Sequence, residues 1–154
     1  MITTIVAPVD FSEPSKRTAG YAASLAQRLD ATLHLVHVLE VPALAKHPSL
    51  DDRAYQDARA ELKALRATLP LPTSHVSIEV RLGPVAEGIT QAAIDYGADL
   101  VIMATHGRSG LSHLLMGSVA ERVIRTARCP VLVVRSCGRV YMHAPATAES
   151  TKVA

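Results

Sequence analysis

Tryptophan is absent from this chain, and phenylalanine occurs once in 154 residues. Four tyrosines complete the aromatic inventory. That is too few to build the base-stacking platforms of a single-strand nucleic-acid binder. Neither sign of charge is in excess: 16 Lys and Arg stand against 14 Asp and Glu, and no basic block is present. Nucleic acid is therefore not an expected partner. Cysteine is scarce too. Cys129 and Cys137 lack C-x-x-C spacing, make no disulfide framework, and point to a reducing compartment. No apolar run approaches the roughly 18 residues of a membrane span. The opening MITTIVAPVD carries no basic leader and runs straight into a strand pattern. The expected location is the cytoplasm, with no membrane partner.

Aliphatic side chains are plentiful. Apolar residues make up 49% of the chain, so the core is expected to be built from Val, Ile, Leu and Ala. The length fits one domain that buries roughly two thirds of its unfolded surface. Strand-like and helix-like segments alternate along it. Ile2 to Val9 is apolar and β-branched. Ser12 is placed to cap a helix whose apolar face reads Ala19, Ala22, Ala26 and Leu29. Thr32 to Val38 reads as a second strand, and Ala54, Ala58, Leu62, Leu65 and Leu69 mark a second helix stopped by Pro70 and Pro72. His75 to Leu82 is the third strand. Gly83-Pro84 opens a third helix bearing Val85, Ile89, Ala92 and Tyr96, and Gly97 ends it. Leu100 to Met103 is the fourth strand. A fourth helix runs to about Ala127, and Pro130 to Val134 is the fifth strand. Alternation of this kind predicts an α/β fold, a doubly wound open five-stranded parallel sheet with helices on both faces. One domain is expected over 1–135, followed by a tail, 136–154, that is either mobile or folded over the sheet edge.

The chemistry concentrates in Ala104 to Val119, ATHGRSGLSHLLMGSV. A wholly apolar strand precedes it and a helical pattern follows. Strand, glycine turn and helix N-terminus together hold a phosphate on backbone amides and the helix dipole. The spacing is neither a P-loop, since no lysine follows Gly117, nor G-x-G-x-x-G after the first strand. Ligands of open parallel sheets collect beyond the carboxyl ends of strands where the strand order reverses. Pro8-Val9-Asp10-Phe11-Ser12 ends the first strand, and Ala104-Thr105-His106-Gly107 ends the fourth. If those strands are neighbours, Asp10 can accept from a ribose hydroxyl while Gly107, Gly117 and Ser118 hold phosphates.

APVDFSE at Ala7 to Glu13, DLVIMATHG at Asp99 to Gly107 and GSVAERVIRTARCPVLVV at Gly117 to Val134 resemble the universal stress protein family, over nearly the whole chain to Arg135. The resemblance implies a Rossmann-like sheet of order 3-2-1-4-5. It also implies a nucleotide-binding branch marked by glycine, two residues, glycine, nine residues, glycine, then serine or threonine. Gly107 and the pair Gly117-Ser118 match the second and third glycines and the closing residue, whereas Ala104 replaces the first glycine. By the same resemblance the cofactor is ATP, with Mg²⁺ or Mn²⁺ bridging its phosphates. The implied site comprises Pro8, Val9, Asp10, Val38, Met103, Ala104, His106, Gly107, Arg108, Gly110, Gly117, Ser118, Val119 and Ala120. The partner it implies is a second copy, joined through strand 130–134.

Plainer roles remain open for the same residues. Asp10 can cap the turn before the first helix, and Gly107, Gly110 and Gly117 can serve turns or close packing. Ser118 can be a helix cap, and His106 and Arg108 can be solvated loop residues. His34 and His37 fall on opposite faces of one strand. No metal-ligand spacing appears, and no catalytic residue stands out, since G-x-S-x-G is absent and only His106 and Arg108 offer charge near the phosphates. Three functions follow: an ATP-binding stress-response or regulatory protein with little or no hydrolysis, a nucleotide-free interaction scaffold, and a slow ATP hydrolase or phosphoryl-transfer enzyme.

Overall fold

The computed structural model describes residues 1–40, 53–105 and 117–135. Its elements are β1 (Thr4–Pro8), α1 (Glu13–Leu29), β2 (Thr32–Leu39), α2 (Arg53–Thr68), a 3-10 turn (Thr73–His75), β3 (Val76–Leu82), α3 (Val85–Asp95), β4 (Leu100–Ala104), α4 (Ser118–Thr126) and β5 (Val131–Val134). The strands form one parallel sheet in the order β3-β2-β1-β4-β5. This is the doubly wound, Rossmann-like α/β fold.

Two aliphatic cores sandwich the sheet. On one face Ile5, Leu33, Leu35 and Ile102 pack against the alanine stripe of α1 (Ala19, Ala22, Ala23, Ala26) and Leu62 of α2. On the other, Val6, Val36, Val101 and Met103 meet Ile89 and Ala92 of α3, and Ala120 and Val123 of α4. Parallel strands covered on both faces read as continuous apolar runs rather than alternating ones, which is why the fourth strand's LVIM is legible as buried. Alanines on α1 let the helix axis lie close to the sheet. Gly88 does the same for α3, since a Cβ there would stand 2.9 Å from both methyls of Val38.

Boundaries differ from the sequence reading in ways with local causes. β1 starts at Thr4 because the amides of Thr3 and Thr4 donate to Asp99 Oδ2 at 2.8 and 3.0 Å, pinning the strand's entrance to the start of β4. These bonds, the Thr3 amide first and then its hydroxyl, hold the Asp99 carboxyl below its usual range. Helix α2 ends at Thr68, so Leu69 packs against the first core from outside the helix. Tyr96 caps α3 rather than belonging to it, and Gly97, at φ +60, follows in the left-handed region. The tail 136–154 lies outside the described residues.

Candidate functional site

The order β2-β1-β4 puts the carboxyl ends of β1 and β4 side by side, where the chain's winding direction reverses. A cavity of about 550 Å³ opens there. Its floor comes from strand ends: Pro8 closing β1 with Val9 and Asp10 after it, Val38 on β2, and Met103 and Ala104 on β4. Gly117, Ser118, Val119 and Ala120 bring in the start of α4. Ten of the predicted site residues therefore line one cavity. His106, Gly107, Arg108 and Gly110 lie outside the described residues.

Local structure at the start of α4 is informative. Thr105 continues β4 by one bond, its amide donating to Val134 O at 3.1 Å. The Gly117 amide donates to Thr105 O at 2.9 Å, joining the end of β4 to the start of α4. Gly117 is the N-cap at φ −61 and ψ 146, and Ser118 is the first helical residue, not the cap. Any residue adopts that backbone, so Gly117 is not required by conformation. Among the described residues no side chain caps α4. The first intrahelical bond runs from Glu121 N to Gly117 O. Helix geometry thus leaves the amides of Ser118, Val119 and Ala120 without an intrahelical acceptor, at the rim of the cavity.

Ala104 ends β4 in extended conformation. Alanine fits there without strain, and Ala104 lines the cavity at the strand end.

The loop after β1 is tightly bonded. Asp10 Oδ1 accepts from the amide of Ser12 at 3.0 Å and from its hydroxyl, an Asx turn that serves the helix start. Ser12 is the N-cap of α1, its hydroxyl accepting from the Ser15 amide. The local role of Asp10 is therefore real, and the same residue lines the cavity.

Several lining residues were not foreseen. Val85 and Ile89 of α3 form an apolar wall, and Ser15, His37 and Glu40 bring polar groups beside Thr105 of the expected loop after β4. The i, i+4 spacing of Val85 and Ile89 reads as core in sequence, and the close seat of α3 at Gly88 goes with their place in the cavity wall. His34 and His37 do lie on opposite faces. His34 stacks on Tyr96 at 3.9 Å, and burial lowers its pKa. His37 sits in the cavity wall against Phe11.

Among the described residues no group of three or more His, Cys, Asp or Glu is placed to hold a metal ion. No described Lys or Arg lines the cavity. Cys129 is a free thiol whose pKa burial pushes up, leaving it a poor nucleophile. No helix among the described residues is long and apolar enough to cross a membrane.

The sequence model of the Universal stress protein family matches residues 1–135. The chain belongs to the universal stress protein family. Universal stress protein MJ0531 of Methanocaldococcus jannaschii is 34% identical over 137 residues, covering 85% of this chain and 81% of the relative. Among solved structures, the protein MJ0577 superposes with a TM-score of 0.78 at 26% identity, over 90% of this chain and 99% of that one. A universal stress protein solved in complex with cAMP shares the fold, with a TM-score of 0.62 at 23% identity over 86% of this chain and 96% of that one. In this universal stress protein fold, the cavity at the strand-order reversal is the feature that invites a ligand.

Proposed function

We propose that this chain binds an adenine nucleotide, ATP first, and acts as a stress-response regulator whose surface or assembly changes on occupancy. The observation that carries the reading is the uncapped start of α4 opening onto the cavity between the ends of β1 and β4. Backbone amides and a helix dipole suit phosphate oxygens. The aliphatic wall of Val38, Val85 and Ile89 suits a flat base. Asp10, across the floor, suits a ribose hydroxyl. His106, Gly107, Arg108 and Gly110 complete the proposed phosphate loop. The cAMP bound by a structural relative supports the adenine class.

Mg²⁺ or Mn²⁺ is proposed as an ion held mainly by the phosphate oxygens, needing few ligands from the protein. Little hydrolysis is expected. Phosphoryl transfer needs strong neutralisation of developing charge, and the described lining provides amides rather than cationic side chains.

The proposed assembly is a homodimer through β5, whose outer edge has no strand beside it among the described residues and whose Leu132 is exposed. A cytoplasmic location accords with the free Cys129 thiol.

A second reading, a nucleotide-free scaffold, is favoured by the methyl of Ala104 over the strand end and by the engagement of Asp10 with Ser12. Protein purified under native conditions and then denatured separates the two. Release of adenine nucleotide supports the first reading. A clean supernatant, together with ATP binding only after Ala104→Gly, supports the second.

A further inference from the structure

β2 carries a buried imidazole on a face that is otherwise aliphatic. Leu33 and Leu35 precede His37 there at the strand period, and His37 is 7% exposed. A buried polar ring is costly unless partnered. Its partner is a main-chain group of the neighbouring loop: His37 Nδ1 lies 2.6 Å from Val9 O. A carbonyl only accepts, so Nδ1 carries the proton and donates. The ring also lies against Phe11, with centroids 4.4 Å apart and planes 32° apart.

Val9 and Phe11 flank Asp10. One imidazole therefore grips the chain on both sides of that carboxylate, by a hydrogen bond before it and a ring contact after it. The grip has work to do. Phe11 stands at φ +64, a left-handed conformation that bulky residues avoid and that persists only when the surroundings enforce it. The Ser12 amide and hydroxyl fix Oδ1 of Asp10, and the Asp10 amide donates to the buried Ser15 hydroxyl at 3.3 Å. The sheet ladder reaches only to the Val9 amide, which donates to Val36 O at 2.8 Å. Beyond that bond, His37 takes the Val9 carbonyl.

We propose that His37 is a positioning residue for Asp10, holding the strained Val9–Phe11 turn so that the carboxylate meets the hydroxyls of a bound ribose. The inference rests on the nucleotide reading and names which part of the ligand His37 serves. A residue that only filled the core would support all ligands alike. A positioning residue supports the sugar hydroxyls selectively.

The test compares ATP with 2′,3′-dideoxy-ATP by calorimetry on the full chain, in wild type, His37→Leu and His37→Asn. Asparagine keeps an N–H donor near the Nδ1 position. Wild type is expected to prefer ATP by roughly tenfold, the scale of one hydrogen bond to a charged group. His37→Leu should lose that preference while keeping its dideoxy affinity, and His37→Asn should restore much of it. A preference that survives in His37→Leu overturns the proposal. So does an equal loss for both ligands, which marks a role in the fold alone. Amide hydrogen exchange at Asp10, Phe11 and Ser12 reads the grip with no ligand present. Faster exchange confined to that turn in His37→Leu supports the grip, and unchanged exchange overturns it. If wild type binds neither nucleotide while exchange still rises in the variant, the nucleotide reading has failed and the grip on Asp10 stands.

Discussion

The amide of Gly117 donates to the carbonyl of Thr105 at 2.9 Å, across the whole of segment 106–116. That bond occupies one of the amides a phosphate loop would be expected to offer. In the proposed site the task of anion binding falls to the next three, on Ser118, Val119 and Ala120. It also sets the end of β4 against the start of α4, so the strand end and the helix dipole address the same space.

Ser118→Pro isolates this contribution. Proline is well tolerated at the first helical position, where its missing N–H had no intrahelical partner. Gly117, at φ −61 and ψ 146, already has the extended backbone that a residue before proline needs. The variant should fold with unchanged thermal stability and bind ATP about tenfold more weakly, the scale of one charge-assisted hydrogen bond. Binding of adenosine, which has no phosphate, should not change. Equal weakening for adenosine and ATP would place the phosphates elsewhere.

Gly117→Asp brings a carboxylate to the same niche. The backbone permits the substitution, so the circular dichroism spectrum should be native while ATP binding is lost. Unchanged affinity in the folded variant would remove Gly117 from the site.

Gly88→Ala should destabilise the fold despite alanine's better helix propensity. The new methyl would stand 2.9 Å from both Val38 methyls, and the β-branched Val38 has little room to turn. Overpacking of this kind costs about 1–3 kcal/mol, against a helical gain of about 1 kcal/mol. Val38 also lines the cavity, so ATP binding should weaken as well. Adding Val38→Ala should relieve the clash, and chemical denaturation of the four combinations measures the coupling.

Acid should weaken the hold of Asp99 on Thr3 and Thr4. Its folded pKa is lowered by the Thr3 amide and hydroxyl and the Thr4 amide, so the unfolded chain binds the proton more readily. The stabilisation is full above the unfolded value, about 3.9, and fades as pH falls through the folded one. Urea midpoints of wild type and Asp99→Asn should therefore differ at about pH 6 and converge towards about pH 2. A constant difference would show that the carboxylate's charge is irrelevant to the strand entrance.

The proposed homodimer is best probed at Leu132. Val133 packs partly buried against the α3–α4 core, so a charge there would test the fold rather than the interface. Leu132 is exposed at the sheet edge. Light scattering should give about twice the 16.4 kDa chain mass for wild type at micromolar concentration and the single mass for Leu132→Lys. A wild-type monomer at about 100 micromolar would reject this interface, since stable dimers persist well below that concentration.

Strand and helix alternation was legible because buried parallel strands are apolar throughout and alanine stripes recur at helical spacing. The order of the strands came from family resemblance, as no local pattern encodes it. Element ends were less legible where tertiary partners set them, as Asp99 does for Thr4. Phe11 contradicts its own propensity, which no reading of local preference would predict. His37 reads as one of two histidines in a largely apolar strand, and its meaning appears only when β2 and the β1–α1 turn are side by side. Val85 and Ile89 carry the pattern of core residues and become cavity wall only through the close seat of α3 at Gly88.

Calorimetric titration of nucleotide-free protein with ATP, ADP and AMP, with and without Mg²⁺ or Mn²⁺, tests the central claim most directly. The account predicts saturable binding of ATP with one site per chain, tighter than AMP because the amides at the start of α4 gain phosphate oxygens to bond. Heats indistinguishable from dilution for all three nucleotides at concentrations near about 1 mM, where binding free energy falls to about −4 kcal/mol, would contradict it.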